Sequence, residues 1–174
     1  MPLSANDIKR AFEALTGDLQ QTDTKAELVI VGGAALVLLF KARDSTKDVD
    51  AFFVRPEAAT VRLAAEHVAA SLNLPDDWLN DNAKGYLVGL SKGDLLYKSE
   101  FLTVYAASLP QLLAMKLSAW RDAIDRDDAK LLLQRISGSR EQIWTALEPF
   151  ITKHLLDKAS YAFEDLWEVL HGRS

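Results

Sequence analysis

Asp48 and Asp50 stand one residue apart in Lys47-Asp48-Val49-Asp50-Ala51-Phe52. In a strand, residues i and i+2 project from the same face. Two carboxylates held there repel each other unless a cation lies between them. A hard divalent ion such as Mg2+ takes oxygen ligands and keeps room in its shell for water and phosphate oxygens. Val49 would project from the opposite face, into the core. Taken alone, the pattern is also met as two solvated residues at a strand edge or as a turn cap. A second feature lies upstream, where Gly32-Gly33 separates the apolar stretch Glu27–Val31 from the apolar stretch that begins at Ala34. Glycines at such a turn let the backbone come close to a phosphate, and the following helix offers free N–H groups to an anion. Gly-Gly by itself also marks a plain tight turn. Together the two features put an anion site and a cation site on one edge of one sheet.

Such a site needs a strand into the glycine turn, a helix out of it and a second strand alongside. Glu27–Val31 (ELVIV) reads as a short buried strand, and the Ala- and Leu-rich residues 34–42 (AALVLLFKA) read as the helix. Residues 43–47 (RDSTK) form a polar connector, and 49–54 (VDAFFV) form the second strand, closed by Pro56. A helix is expected over 4–16, with Ser4 as cap, Asp7 three residues on, Ile8, Phe12 and Leu15 on one face, and Gly17 as its stop. An amphipathic helix is expected over 57–72 and a short helix or turn over 75–79. Short strands are expected over 86–90 and 101–105, separated by the turn Lys92-Gly93-Asp94. From Leu109 the pattern becomes Leu-rich at helical spacing, with segments at 109–123, 126–136, 139–152 and 158–170 punctuated by Gly138 and Pro149. The expected organisation is a first domain over 1–108 and a helical region over 109–174.

The 174 residues are enough for a modest mixed domain with a helical appendage. No cysteine is present, which excludes disulfides, zinc–thiolate sites, Fe–S clusters and a cysteine nucleophile. The three histidines have no spacing that suits a metal or a triad, and the four tryptophans read as packing residues. A net charge of −5 implies no broad basic face for nucleic acid, although a local basic rim is compatible with it. The stretch MPLSANDIKRAF has no long apolar run after a basic start, and the apolar run Ala34–Phe40 is too short to cross a bilayer. The expectation is a soluble cytoplasmic protein with no membrane partner.

The sequence Val31-Gly32-Gly33-Ala34, then a helix, then Asp48-Val49-Asp50, resembles the signature of the nucleotidyltransferase superfamily. The closer resemblance is to the AbiEii-like, toxin-related nucleotidyltransferases and their minimal relatives. Arg43 and Thr46 match an Arg and a Thr ahead of the acidic pair. Lys116 in LLAMKL and Asp125-Arg126-Asp127-Asp128 match a later lysine helix and a D-x-x-D-like helix, and Lys84 in NDNAKG resembles a Lys-Gly motif. The resemblance implies an α+β fold, with a small mixed sheet flanked by helices and followed by a C-terminal helical bundle. It implies Mg2+ or Mn2+ held by Asp48 and Asp50, with Lys116 joining them in catalysis. It implies nucleotide binding by Gly32, Gly33, Arg43, Thr46, Lys84, Asp125 and Asp128. The activity implied is transfer of a nucleotide from an NTP to an RNA, protein or small-molecule acceptor, in a toxin–antitoxin context with a cognate partner protein.

Each candidate also has a plain structural reading. Arg43 suits a solvated loop, Lys84 a helix end, and Lys116 an aliphatic stem that snorkels to the surface. Asp125 and Asp128 suit a helix start, or an ion pair with Lys116. Two positions depart from the superfamily pattern. Ala34 stands where active members often carry Ser or Thr, and the strand candidate 101–105 (FLTVY) holds no third carboxylate. These departures keep a second reading in play, that of a catalytically inactive interaction module on the same fold.

Overall fold

The computed structural model describes residues 2–41 and 43–173. It divides into two units, Met1–Gly85 with Lys92–Ala107, and Tyr86–Ser91 with Ser108–Ser174. The fold class is α+β, as expected, with a mixed five-stranded sheet, flanking helices and a helical C-terminal part.

The first unit begins with strand β1 (Leu3–Ser4) and helix α1 (Ala5–Gln21). Ser4 Oγ accepts the Asp7 N–H at 3.1 Å, and the Asp7 carboxylate accepts the Ser4 N–H at 2.8 Å. The Ser4 N–H and, at 2.9 Å, the Ser4 hydroxyl both donate to that carboxylate and hold Asp7 below the usual carboxylate range. The helix does not stop at Gly17. It runs on to Gln21, because Leu19 continues the buried face of Ile8, Phe12 and Leu15. Burying one more leucine contributes about 2 kcal/mol, against a cost of about 1 kcal/mol for a helical glycine.

Strand β2 (Ala26–Val31) is buried along its whole length and lies at the centre of the sheet. Helix α2 (Gly32–Phe40) follows it directly, starting at the glycine pair rather than after it, and Lys41 ends it in the left-handed region. Ala42, the expected last residue of that helix, lies outside the described residues. Within the polar connector, strand β3 (Ser45–Thr46) pairs antiparallel with β1, Leu3 facing Thr46. Strand β4 (Val49–Arg55) then pairs antiparallel with β2, burying Val49, Ala51 and Phe53 and leaving Asp50 and Phe52 half-buried.

Helix α3 (Ala58–Leu72) packs on α1 and β4. Residues 75–79 make a turn into strand β5 (Leu79–Asn80), which pairs parallel with β4. Trp78 drives that turn: its ring is fully buried, its Nε1 donates to the Ala65 carbonyl at 2.9 Å, and its own carbonyl accepts the Val49 N–H at 2.6 Å. Strands β6 (Leu95–Lys98) and β7 (Leu102–Ala106) complete the sheet in the order β5-β4-β2-β7-β6, with β7 parallel to β2.

The strand expected over 86–90 does not form. That segment belongs to the second unit, where the buried Gln111 takes up its backbone. Gln111 Nε2 donates to the Gly89 carbonyl at 3.1 Å, and Gln111 Oε1 accepts the Ser91 N–H at 2.9 Å. The helices of this unit are α4 (Leu109–Ala119), α5 (Ala123–Gln134), α6 (Arg140–Leu147) and α7 (Leu156–His171), and α4 packs on the other three. The first is shorter than expected because Trp120 turns left-handed at φ 38, and the third because Pro149 opens a 3-10 turn. Among the described residues no helix is long and apolar enough to cross a membrane.

Candidate active site

The geometry follows from one register. β2 and β4 are antiparallel with Val31 opposite Asp50, so the residue after Val31 begins α2 beside the acidic pair. Gly32 has φ +71, a conformation that side-chain-bearing residues rarely adopt, and a Cβ placed on it would lie 3.5 Å from Asp50 Oδ2. At Gly33 a Cβ would come within 2.6 Å of Arg43 Nη1 and 3.0 Å of Thr46 Oγ1. The guanidinium and the hydroxyl therefore lie directly over the glycine. Val31 supplies no side-chain cap to α2, so the first-turn amides are left to face whatever approaches them. Thr46 is fixed from two sides, by the β1–β3 pairing and by its hydroxyl, which donates to the Asp48 carbonyl at 3.2 Å. Six of the expected residues, Gly32, Gly33, Arg43, Thr46, Asp48 and Asp50, thus gather at the same end of the sheet.

Both acids are shifted toward protonation. Burial raises Asp50, and the charge of Asp48 raises it further. Burial raises Asp48, and the charge of Asp77 adds to it, while Lys47 and the amide of Asn80 pull the other way. Neighbouring acids held partly dry at the start of β4 are a donor set that suits a hard divalent cation. β5 brings in a neighbour with no assigned role in the sequence: Asn80 pairs with Asp50 in register, and its Nδ2 lies 3.4 Å from Asp48 Oδ2. The stretch NDNAKG stood out for its lysine, yet its first residue is the one at the site. Among the described residues no group of three or more His, Asp or Glu side chains is placed to hold one metal ion.

The other expected residues make ion pairs within their own units. Lys84 Nζ bonds Asp81 Oδ2 at 2.9 Å, and Arg62 binds the same buried carboxylate with both oxygens engaged, at 2.9 and 2.7 Å. Burial alone would raise Asp81, but the hydrogen bonds from Arg62 and Lys84 outweigh it and hold the group low. In the second unit Lys116 Nζ lies 2.7 Å from Asp128 Oδ2 and 3.3 Å from Asp125 Oδ1, tying α4 to α5. Asp125 also accepts from the Arg121 backbone N–H at 2.9 Å and from Arg121 Nε at 3.1 Å. Burial would raise Asp125, and these bonds together with the charge of Lys116 bring it below its ordinary value. The ion pair and the helix-start position are both realised, since Asp125 lies in the first turn of α5.

A glycine pair opening a helix off the central strand, with one acid on the next strand and a second just before it, defines a nucleotidyltransferase-type α+β domain. The chain belongs to the family described as nucleotidyltransferase of unknown function (DUF6036), whose family model matches residues 6–139. That segment spans every candidate residue named here and ends before α6. No curated protein and no solved structure matches the chain.

Proposed function

We propose that the chain is a Mg2+-dependent nucleotidyltransferase of the AbiEii-like, toxin-related kind. It moves a nucleotide from an NTP to a hydroxyl of an RNA, a protein or a small molecule. The observation that carries this reading is Gly33, where the Arg43 guanidinium and the Thr46 hydroxyl fill the space of a missing Cβ. A cation, a hydroxyl and the open first turn of α2 thereby meet beside the two acids.

In this reading the α2 amides at Gly32 and Gly33 take the β- and γ-phosphates, with Arg43 gripping the same oxygens and the Thr46 hydroxyl turning its proton from the Asp48 carbonyl to them. Asp48 and Asp50 would hold Mg2+ or Mn2+, which when bound neutralises the triphosphate and orients its α-phosphorus. The acceptor oxygen bonds to that phosphorus as the bond to the α–β bridging oxygen breaks. Pyrophosphate leaves, and the hydroxyl proton passes to water. A cytoplasmic setting and a cognate partner protein of a toxin–antitoxin pair belong to the same reading.

A second reading, an inactive interaction module, is favoured by two departures. No third carboxylate joins the acidic pair among the described residues, and Ala34, in the first turn of α2, offers no hydroxyl to a phosphate.

Calorimetric titration with each of the four NTPs and Mg2+ or Mn2+, on the wild type and on Asp48→Ala/Asp50→Ala, separates the two. Metal-dependent binding of one NTP that disappears in the variant supports the enzyme. A well-folded wild type that binds none supports the interaction module, and a partner pull-down then follows.

A further inference from the structure

We infer that Asn80 makes this a one-ion site, because its carboxamide stands where a third oxygen ligand would have to come from and presents donors to the acids instead. The inference rests on the proposed function and concerns how that same site is loaded.

The argument starts from the two strands that border β4. On one side, Val31 of β2 faces Asp50 and is apolar. On the other, β5 places Asn80 beside Asp50 in the parallel register. Asn80 is buried, at 9% exposure, and both ends of its side chain are committed. Nδ2 lies 3.4 Å from Asp48 Oδ2 and 3.4 Å from the Asp77 carbonyl, while Oδ1 accepts the Asn82 N–H at 3.2 Å. An amide nitrogen offers a hard cation nothing to coordinate, and it is this end that faces Asp48, while the amide oxygen is turned to the Asn82 N–H.

The strand cannot slide to exchange Asn80 for a neighbour. Trp78 is fully buried, and its carbonyl is locked onto the Val49 N–H. Asp77 is the other acid whose charge reaches Asp48, but it is exposed on the turn and joins no metal-holding group of three. The acids therefore supply one ion's worth of charge. Asn80 acts as a positioning residue that steadies the carboxylates between loadings.

The test is a titration of the full chain with Mn2+ alone, read by electron paramagnetic resonance of the free ion. The wild type, Asn80→Asp and Asn82→Asp are compared. The wild type is expected to take one Mn2+ per chain. Asn80→Asp should bind Mn2+ about tenfold tighter or take a second ion, because a third carboxylate joins the ligand set. Asn82→Asp adds the same charge two residues away and should stay within about twofold of the wild type, as a charge in solvent does. Two ions on the wild type, or an Asn80→Asp variant no different from Asn82→Asp, would overturn the inference and leave the nucleotidyltransferase reading standing. A wild type that binds no Mn2+ alone overturns the inference, while the nucleotidyltransferase reading is decided separately by NTP binding in the presence of the metal. If Asn80→Asp does not fold, the wild-type stoichiometry decides the matter alone.

Discussion

The guanidinium of Arg43 lies over Gly33 so closely that a methyl group on the glycine would stand 2.6 Å from Nη1. Gly33 is therefore a built vacancy for another residue's side chain, at a helix position where alanine would otherwise be preferred. Gly33→Ala should leave the melting temperature within a few degrees of wild type, because the displaced atom is the far end of a flexible side chain. NTP affinity should fall by about tenfold or more as a charged phosphate contact is lost. Thermal melting and calorimetry on one preparation read both quantities. An unchanged affinity would remove Arg43 from the phosphate site.

Gly32 makes a different demand. Its φ of +71 taxes any side chain regardless of space. Gly32→Ala should destabilise the fold by about 1–2 kcal/mol, the cost of the left-handed conformation. Urea denaturation checks this, and a neutral result would mean that the turn relaxes.

Asp48 and Asp50 are each raised first by burial, and the charge of Asp48 adds to the shift at Asp50. Asp50→Asn should therefore raise the melting temperature of the metal-free protein while reducing transfer activity by about a hundredfold or more, since ion-held charge stabilisation amounts to several kcal/mol. Melting curves with and without Mg2+, beside an incorporation assay, provide the comparison. Equal stability in both proteins would mean that the acids do not strain each other.

Lys116 sits between Asp125 and Asp128, with its side chain only 12% exposed. Removing one partner of a buried pair leaves the other charge uncompensated. Lys116→Met should cost about 3 kcal/mol, near the low end for such a loss because Arg121 still holds Asp125. Denaturation with urea measures it. A large loss of activity at unchanged stability would instead assign Lys116 to the chemistry.

The Asp125 carboxyl is lowered in the folded state, so its contribution to stability is present above its unfolded pKa. That contribution is lost as pH falls through the lowered folded value. The stability difference between wild type and Asp125→Asn should be constant near neutrality and shrink below about pH 4, the ordinary carboxylate range. Urea midpoints across pH 3 to pH 7, as about five points, trace the difference. A gap that persists unchanged into acid would show that Asp125 is not held low.

What the chain announces of itself is unequal along its length. β2, the glycine pair and β4 are legible because a fully buried strand needs an unbroken apolar run, and because acids at i and i+2 share a face. Arg43 and Thr46 could be named from the motif. That they lie over Gly33 could not, since their placement depends on a two-residue pairing of Thr46 with Leu3 far away in sequence. β5 has two residues and carries no periodicity, so Asn80 emerges only once Trp78 is seen to be buried. Leu87-Val88 reads as strand by composition, yet no local rule reveals that the amide of Gln111 claims the backbone around it. The nucleotidyltransferase class was legible as a resemblance, because it depends on two short motifs close together in the chain rather than on distant pairings.

The short stretch Tyr86–Ser91 lies in the second unit while its sequence neighbours on both sides lie in the first. The chain consequently passes from one unit to the other after Gly85, after Ser91 and after Ala107. A single proteolytic cut at any of these passages leaves two covalent tethers in place. A truncation at residue 108 would strip Gly89 and Ser91 of the glutamine that receives them. The two parts are threaded through one another in sequence, so recombination can exchange neither by a single splice, and a gene fragment ending at the apparent boundary would encode a domain with a loose end.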